Sequence, residues 1–203
     1  MTNFTIMVEQ TKKQARQKNL MYARHQIKQR WMQEKIQNYL IRWDYPISAQ
    51  EIEEQILTND IIASFFAKDP TKQNISEKLV AKYLGWELLK QTGPNAIRFN
   101  TQGDIVSTKT LGGGKCADFY VHNRYITQKY TGENTGGAQD NQMDDVITFL
   151  TNASIKYKCG ACVDGWYWDE GGHKAQLIEM FKFNPNVIIF SADEIKQGVI
   201  NLA

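Results

Sequence analysis

The spacing of apolar residues changes near residue 95, and that change limits the fold more than any other feature. From about 9 to 44, Leu20, Ala23, Ile27, Trp31, Tyr39 or Leu40, and Trp43 follow helical spacing, with Gln, Lys and Arg between them. This predicts a long amphipathic helix, in one piece or two, ended by Pro46. Ser48 with Glu51 forms a capping box for a short helix over 49–57. After Pro70, Ile75, Leu79, Val80, Tyr83 and Leu84 share one face of a further helix that ends before Gly93-Pro94.

Beyond that point alternation with a period of two takes over. "AIRFNTQGDIVSTK" predicts two short strands around Gln102-Gly103-Asp104, and residues 116–130 predict a hairpin turning at His122-Asn123. Helical spacing returns through Met143, Val146, Ile147 and Leu150. "IKYKCGACVDG" is expected to be a strand, "GGHKAQLIEMFKF" a helix, "NVIIF" a buried strand, and "SADEIKQGVI" a helix capped by Ser191. The pattern implies a mixed α/β core of about five strands behind a helical N-terminal part.

Bulk properties narrow the setting. The 203 residues are 42% hydrophobic and 23% charged, an ordinary globular composition able to bury a core. No apolar run approaches the roughly 20 residues that span a bilayer, so no membrane partner is expected. The start "MTNFTIMVEQTKK" does not resemble a signal peptide, and three cysteines suit a reducing compartment, so a cytoplasmic location is expected. The net charge of +2 hides an asymmetry. Residues 1–30 carry seven Lys or Arg against Glu9 alone, a local +6 that leaves −4 for the rest. A basic arm of this kind fits a polyanion partner or a solvated helix face.

Most chemical motifs fail on inspection. "LGGGKC" lacks the first glycine of a phosphate-binding P-loop, and Cys116 stands where a hydroxyl is required. Cys159 and Cys162 form a C-x-x-C inside an expected strand, without the paired ligands of a zinc site or the helix N-terminus of a redox site. His25, His122 and His173 are isolated, and no serine-hydrolase elbow or zinc-protease motif occurs. The hairpin is different: Asp118 opens one strand, and Lys129 lies near the end of the next. By alternation Lys129 shares a face with Thr127 and Thr131, while Gln128 points the other way. A carboxylate and an ammonium meeting there are the groups that phosphodiester hydrolysis needs, one to hold a hard cation and one to position the attacking water.

Asp118 with Lys129, followed by "YTGENTGGAQDNQMDDVITFL", resembles the core of PD-(D/E)xK nucleases, most specifically type II restriction endonucleases. "DPTKQNISEKLVAKYLG" resembles the opening helix of that core with its acidic residue, here Glu77. "KYKCGACVDGWYW" is similar to a later sheet strand and its turn, and "NVIIFSADEI" to the closing strand and helix. The resemblance covers about 70–199. It implies a restriction-endonuclease-like core over 70–203 and a helical extension over 1–69 that contacts DNA or dimerises.

It further implies Mg²⁺ held by Asp118, the Gln128 carbonyl and a second acid, with Lys129 activating water. This sequence has Thr127 where the second acid belongs, so Glu77 is the expected substitute, with Glu133, Asp144 and Asp145 in reserve. Lys115 is placed near phosphate. Gly136, Gly137, Gln139, Asn141 and Gln142 are candidate DNA contacts, since glycine admits a close backbone approach and carboxamides pair with adenine; helix capping and loop packing account for the same residues. The activity so implied is Mg²⁺-dependent cleavage of double-stranded DNA at a short sequence by a homodimer. A junction-selective repair nuclease and a non-catalytic DNA-binding protein on a decayed scaffold are the alternatives.

Overall fold

The computed structural model describes residues 2–44, 46–70, 73–108, 114–132 and 138–202. Their contacts form two compact units, one of residues 1–8 and 76–203 and the other of 9–75. The boundary thus differs from the sequence expectation of 1–69 and 70–203. Phe4 and Val8 are fully buried in the core of the larger unit, so the first two turns of the chain belong there.

The smaller unit is helical. It takes most of α1 (Asn3–His25), then α2 (Arg30–Trp43), α3 (Ala49–Thr58) and α4 (Asp60–Phe66). The long amphipathic stretch is therefore two helices. The Ser48–Glu51 capping box forms as its spacing predicts. Helix α4 was not anticipated: it is only seven residues long and starts directly at Asn59, whose side chain caps it by accepting from the Ile61 and Ile62 N–H groups. Leu20, Ala23, Ile27, Met32, Ile36, Ile52, Ile56, Ala63 and Phe66 make the core of this unit.

The larger unit is a mixed α/β structure. Helix α5 (Ile75–Leu84) stops earlier than expected, because Gly85 turns the backbone into the left-handed region at φ 73°. Strands β1 (Arg98–Phe99) and β2 (Ile105–Val106) pair as a separate two-stranded ladder. The main sheet has four strands among the described residues rather than about five: β3 (Phe119–Val121), β4 (Arg124–Tyr130), β5 (Lys158–Asp164) and β6 (Val187–Phe190), in that order. β3 and β4 are antiparallel; β4, β5 and β6 are parallel.

His122 and Asn123 join β3 to β4 with φ 47° and 60°, the left-handed pair of a two-residue hairpin turn. Each parallel step is bridged by a helix, α6 (Ala138–Ser154) and α7 (His173–Phe181), and α8 (Ala192–Lys196) follows β6. Val146, Phe149 and Leu150 of α6 and Leu177 of α7 share one core with Cys159, Ala161 and Val163 of β5. Val80 of α5, Phe4 and Val8 of α1, and Ala192 share the other with Phe119, Ile126, Cys162 and Phe190. Helices thus cover both faces of the sheet, as a largely parallel sheet requires. Among the described residues no helix is long and apolar enough to cross a membrane.

Cys159 and Cys162 fall on opposite faces of β5, as a separation of three dictates in a strand, and both are buried free thiols. Burial pushes the Cys159 thiol up to about 12 and Cys162 well above its ordinary value. A dithiol acting as one redox pair is incompatible with this placement.

Candidate active site

The site grows from a mismatch at the start of the hairpin. The Asp118 N–H donates to the Ile126 carbonyl at 2.8 Å, although Ile126 is paired with Phe119. Two consecutive residues therefore face one, a bulge that re-aims the aspartate. Its carboxylate substitutes for the next ladder acceptor: Oδ2 accepts from the Gln128 N–H at 2.6 Å and from the Thr127 hydroxyl at 3.3 Å. The Gln91 side-chain amide donates to Oδ1. Asp118 is fully buried. Burial raises its carboxyl to about 6; Lys115, the Gln128 N–H and Thr127 oppose the rise, and the negative charge of Glu77 adds to it.

Thr127 and Lys129 alternate onto one face of β4, and the Thr127 hydroxyl reaches Asp118, so the carboxylate at the strand edge is within reach of the face that carries the amine. The Lys129 side chain is 12% exposed, and its Nζ donates to Asp145 Oδ2 of α6 at 2.9 Å. Desolvation lowers its pKa, and the neighbouring Lys115 lowers it further, while Asp145 and Asp118 hold it up. Lys115 acts on both Asp118 and Lys129, which places two cations and one buried carboxylate in a common field. Asp145, an acid held in reserve for the metal, is instead the partner of the lysine. Asp144 is exposed.

Glu77, in the first turn of α5, is close enough to influence Asp118 and accepts from the Ser76 hydroxyl at 3.0 Å. Of the candidate DNA contacts, Asn141 is exposed on α6, and Gln142 accepts from the Thr131 hydroxyl. Thr131 in turn accepts from the Trp168 indole at 3.1 Å, so Gln142 is tied into the structural turn after β5. Glu133, Gly136, Gly137 and the side chain of Gln139 lie outside the described residues.

The donor set suits a hard cation in kind, being carboxylate and carbonyl oxygen. A strand residue sends its N–H and C=O to the same lateral side. Because the Gln128 N–H meets Asp118, its carbonyl is directed off that same edge of β4, toward the space a shared ion would take. The set is small, however: among the described residues, no group of three or more His, Cys, Asp or Glu side chains could hold a metal.

Two features escaped the sequence. Gln91 reaches Asp118 from a segment with no motif, its own carbonyl held by the Arg98 guanidinium and the Cys116 thiol. Nor did any pattern mark the Gln128 side chain, which is 1% exposed with neither end of its amide hydrogen-bonded. Each such buried group costs about 1–3 kcal/mol when left unmade. No protein-family model matches the chain, and no curated protein or solved structure matches it either.

Proposed function

We propose that the chain is a Mg²⁺-dependent endonuclease of the PD-(D/E)xK type that cuts double-stranded DNA at a short sequence. The observation that carries this reading is a buried carboxylate at a bulged hairpin with two lysines near enough for their charges to act on it. In this reading Asp118, Glu77 and the Gln128 carbonyl hold the ion. Such an ion would supply Lewis-acid polarisation of a phosphate and a more acidic water. Lys129, released from Asp145 as DNA enters, orients that water and offsets charge developing on the phosphate. Lys115 binds a phosphate oxygen beside it. Gln91 and Thr127 fix the carboxylate, so that the site needs little rearrangement during the reaction. A palindromic target would be read by a two-fold dimer.

The test is direct. Mixed-sequence plasmid with Mg²⁺ should give discrete fragments, and Asp118→Ala or Lys129→Ala should each lower the rate by about 10²-fold or more. Discrete fragments that persist at full rate in both variants would exclude this site; cleavage confined to branched DNA would favour a junction nuclease.

Thr127 favours a second reading, in which the scaffold binds DNA without cutting it. A hydroxyl brings no charge to a cation, and all three protein donors around Asp118 are already in place without one. The two readings separate in a melting experiment. For the enzyme, Mg²⁺ at a hundredfold over its Kd stabilises the protein by about 2.7 kcal/mol, and Asp118→Asn removes the effect. For the binding protein, Mg²⁺ leaves the Tm of both forms unchanged.

A further inference from the structure

We infer that the helical unit carries its own binding groove for the phosphodiester backbone of duplex DNA, formed by Lys13, Arg16 and Lys68. A groove of about 610 Å³ runs in this unit between α1 and the α4 segment, lined among others by Lys13, Arg16, Gln17, Ser64 and Lys68. Leu20 and Ala67 add apolar surface to the lining. The groove is a built feature, since the Asn19 side-chain amide donates to the Lys68 carbonyl at 2.7 Å and holds the end of α4 against α1. Lys13 and Arg16 lie one helical turn apart, and they, Gln17, Ser64 and Lys68 are all exposed.

Charge selects the occupant. None of Lys13, Arg16 and Lys68 has an ion-pair partner among the described residues. Asp60 and Asp69 also line the groove, but Asp60 is held by Arg24 at 2.6 Å. The lining carries three cations and two acids, and the charge of Asp60 is matched by Arg24 outside the lining, so the groove stays positive. The groove, at about 610 Å³, is far larger than a single phosphate. Its cations come from two separate elements, and Gln17 and Ser64 add neutral donors of the kind that position a sugar-phosphate backbone without reading sequence. An extended polyanion fits these features better than a small anion. That the polyanion is duplex DNA rests on the proposed activity.

The experiment measures binding of the full chain to a fluorescent DNA duplex in EDTA, so that cleavage does not intervene, over a range of salt. Replacing Lys13, Arg16 and Lys68 together by Ala should weaken binding about tenfold or more near 0.1 M salt. The slope of log K against log[salt] should become shallower by about one for each phosphate no longer neutralised. Lys18→Ala, an exposed change on the same helix outside the groove, should leave affinity and slope close to the unsubstituted chain. Equal affinity and slope in the triple variant would overturn the groove, as would weakening of the same size in Lys18→Ala. Single-stranded RNA binding tenfold tighter than the duplex would overturn it too.

The outcomes for the two sites are separable. Mg²⁺-dependent cleavage with unaltered binding by the triple variant would leave the hairpin site standing and remove the groove. Weakened binding by the triple variant, with no cleavage by the unsubstituted chain, would do the reverse.

Discussion

Asp118 and Asp164 are both fully buried aspartates in the larger unit, yet their surroundings differ. Asp118 has two lysines in its field and an opening in the ladder beside it. Asp164 ends β5 and faces inward, where the Ala192 N–H donates to it at 3.1 Å and the Cys162 thiol at 3.4 Å. It caps the first turn of α8, a structural task. Burial pushes its carboxyl up to about 7, opposed by those two donors and assisted by Asp169 and Asp193. Because the folded value lies above the unfolded one, the folded state holds the proton more tightly. The stability this contributes is complete below about pH 4 and is lost as pH rises through 7, on the order of 4 kcal/mol across the window. Asp164→Asn keeps an acceptor for Ala192 and cannot ionise. The variant should match the unsubstituted chain near pH 4 and gain on it steadily to about pH 7, with a constant lead at pH 8. Denaturant titrations at several pH values would show it, and a gap independent of pH would mean that Asp164 does not ionise in that range.

At the scale of elements, the hairpin was legible because local chemistry decides it. His122-Asn123 is a pair suited to left-handed backbone, and alternation set the faces on either side. The bulge at Asp118 was not legible, since it is a difference of one residue between two strands and leaves no mark in either alone. The main sheet was overcounted for a related reason: β1 and β2 have strand-like sequences, but pattern does not say which sheet a strand joins. The turn after β5 shows how closely the elements depend on one another. Gly165 sits at φ 106°, and a Cβ there would stand 2.4 Å from the Thr131 carbonyl oxygen. Thr131 continues β4 just beyond Lys129, and its N–H donates to the Asp164 carbonyl at 3.0 Å. Gly165→Ala must therefore push the end of β4 away from β5. The cost should be about 2–5 kcal/mol, combining strained backbone with overpacking. Because the displaced segment carries Lys129, the amide resonances of residues 129–131 should shift most, and a melting temperature within a degree of the original would contradict the argument.

At the scale of the whole molecule, neither the two-unit division nor the place of the first eight residues follows from composition. The basic character of residues 1–30 suggested a single arm, but burial separates its start from its remainder: Phe4, Thr5 and Val8 are buried, whereas Lys13, Arg16 and Lys18 are exposed. The signal for this was faint, three buried positions at the start of an otherwise polar helix, and its partners lie near the other end of the chain. The Phe4 N–H donates to Asp193 Oδ2 at 3.2 Å, the Tyr83 hydroxyl donates to Oδ1 at 2.7 Å, and the Phe4 and Tyr83 rings lie 5.6 Å apart. Asp193 thus joins α1, α5 and α8 under the sheet, and Phe4 fills the space between them. Phe4→Ala should cost about 3–5 kcal/mol, the range for emptying a buried aromatic site. The destabilisation should be confined to one unit, because Phe4 belongs to the core of the larger unit and not to that of the helical unit. Hydrogen exchange followed by peptide mapping would resolve this. Peptides from β4, β5 and α5 should exchange faster in the variant, while those from α2 and α3 keep their protection. Uniformly faster exchange across both sets would show that the two units unfold as one and that the first turns of α1 stabilise the whole chain rather than the sheet they cover.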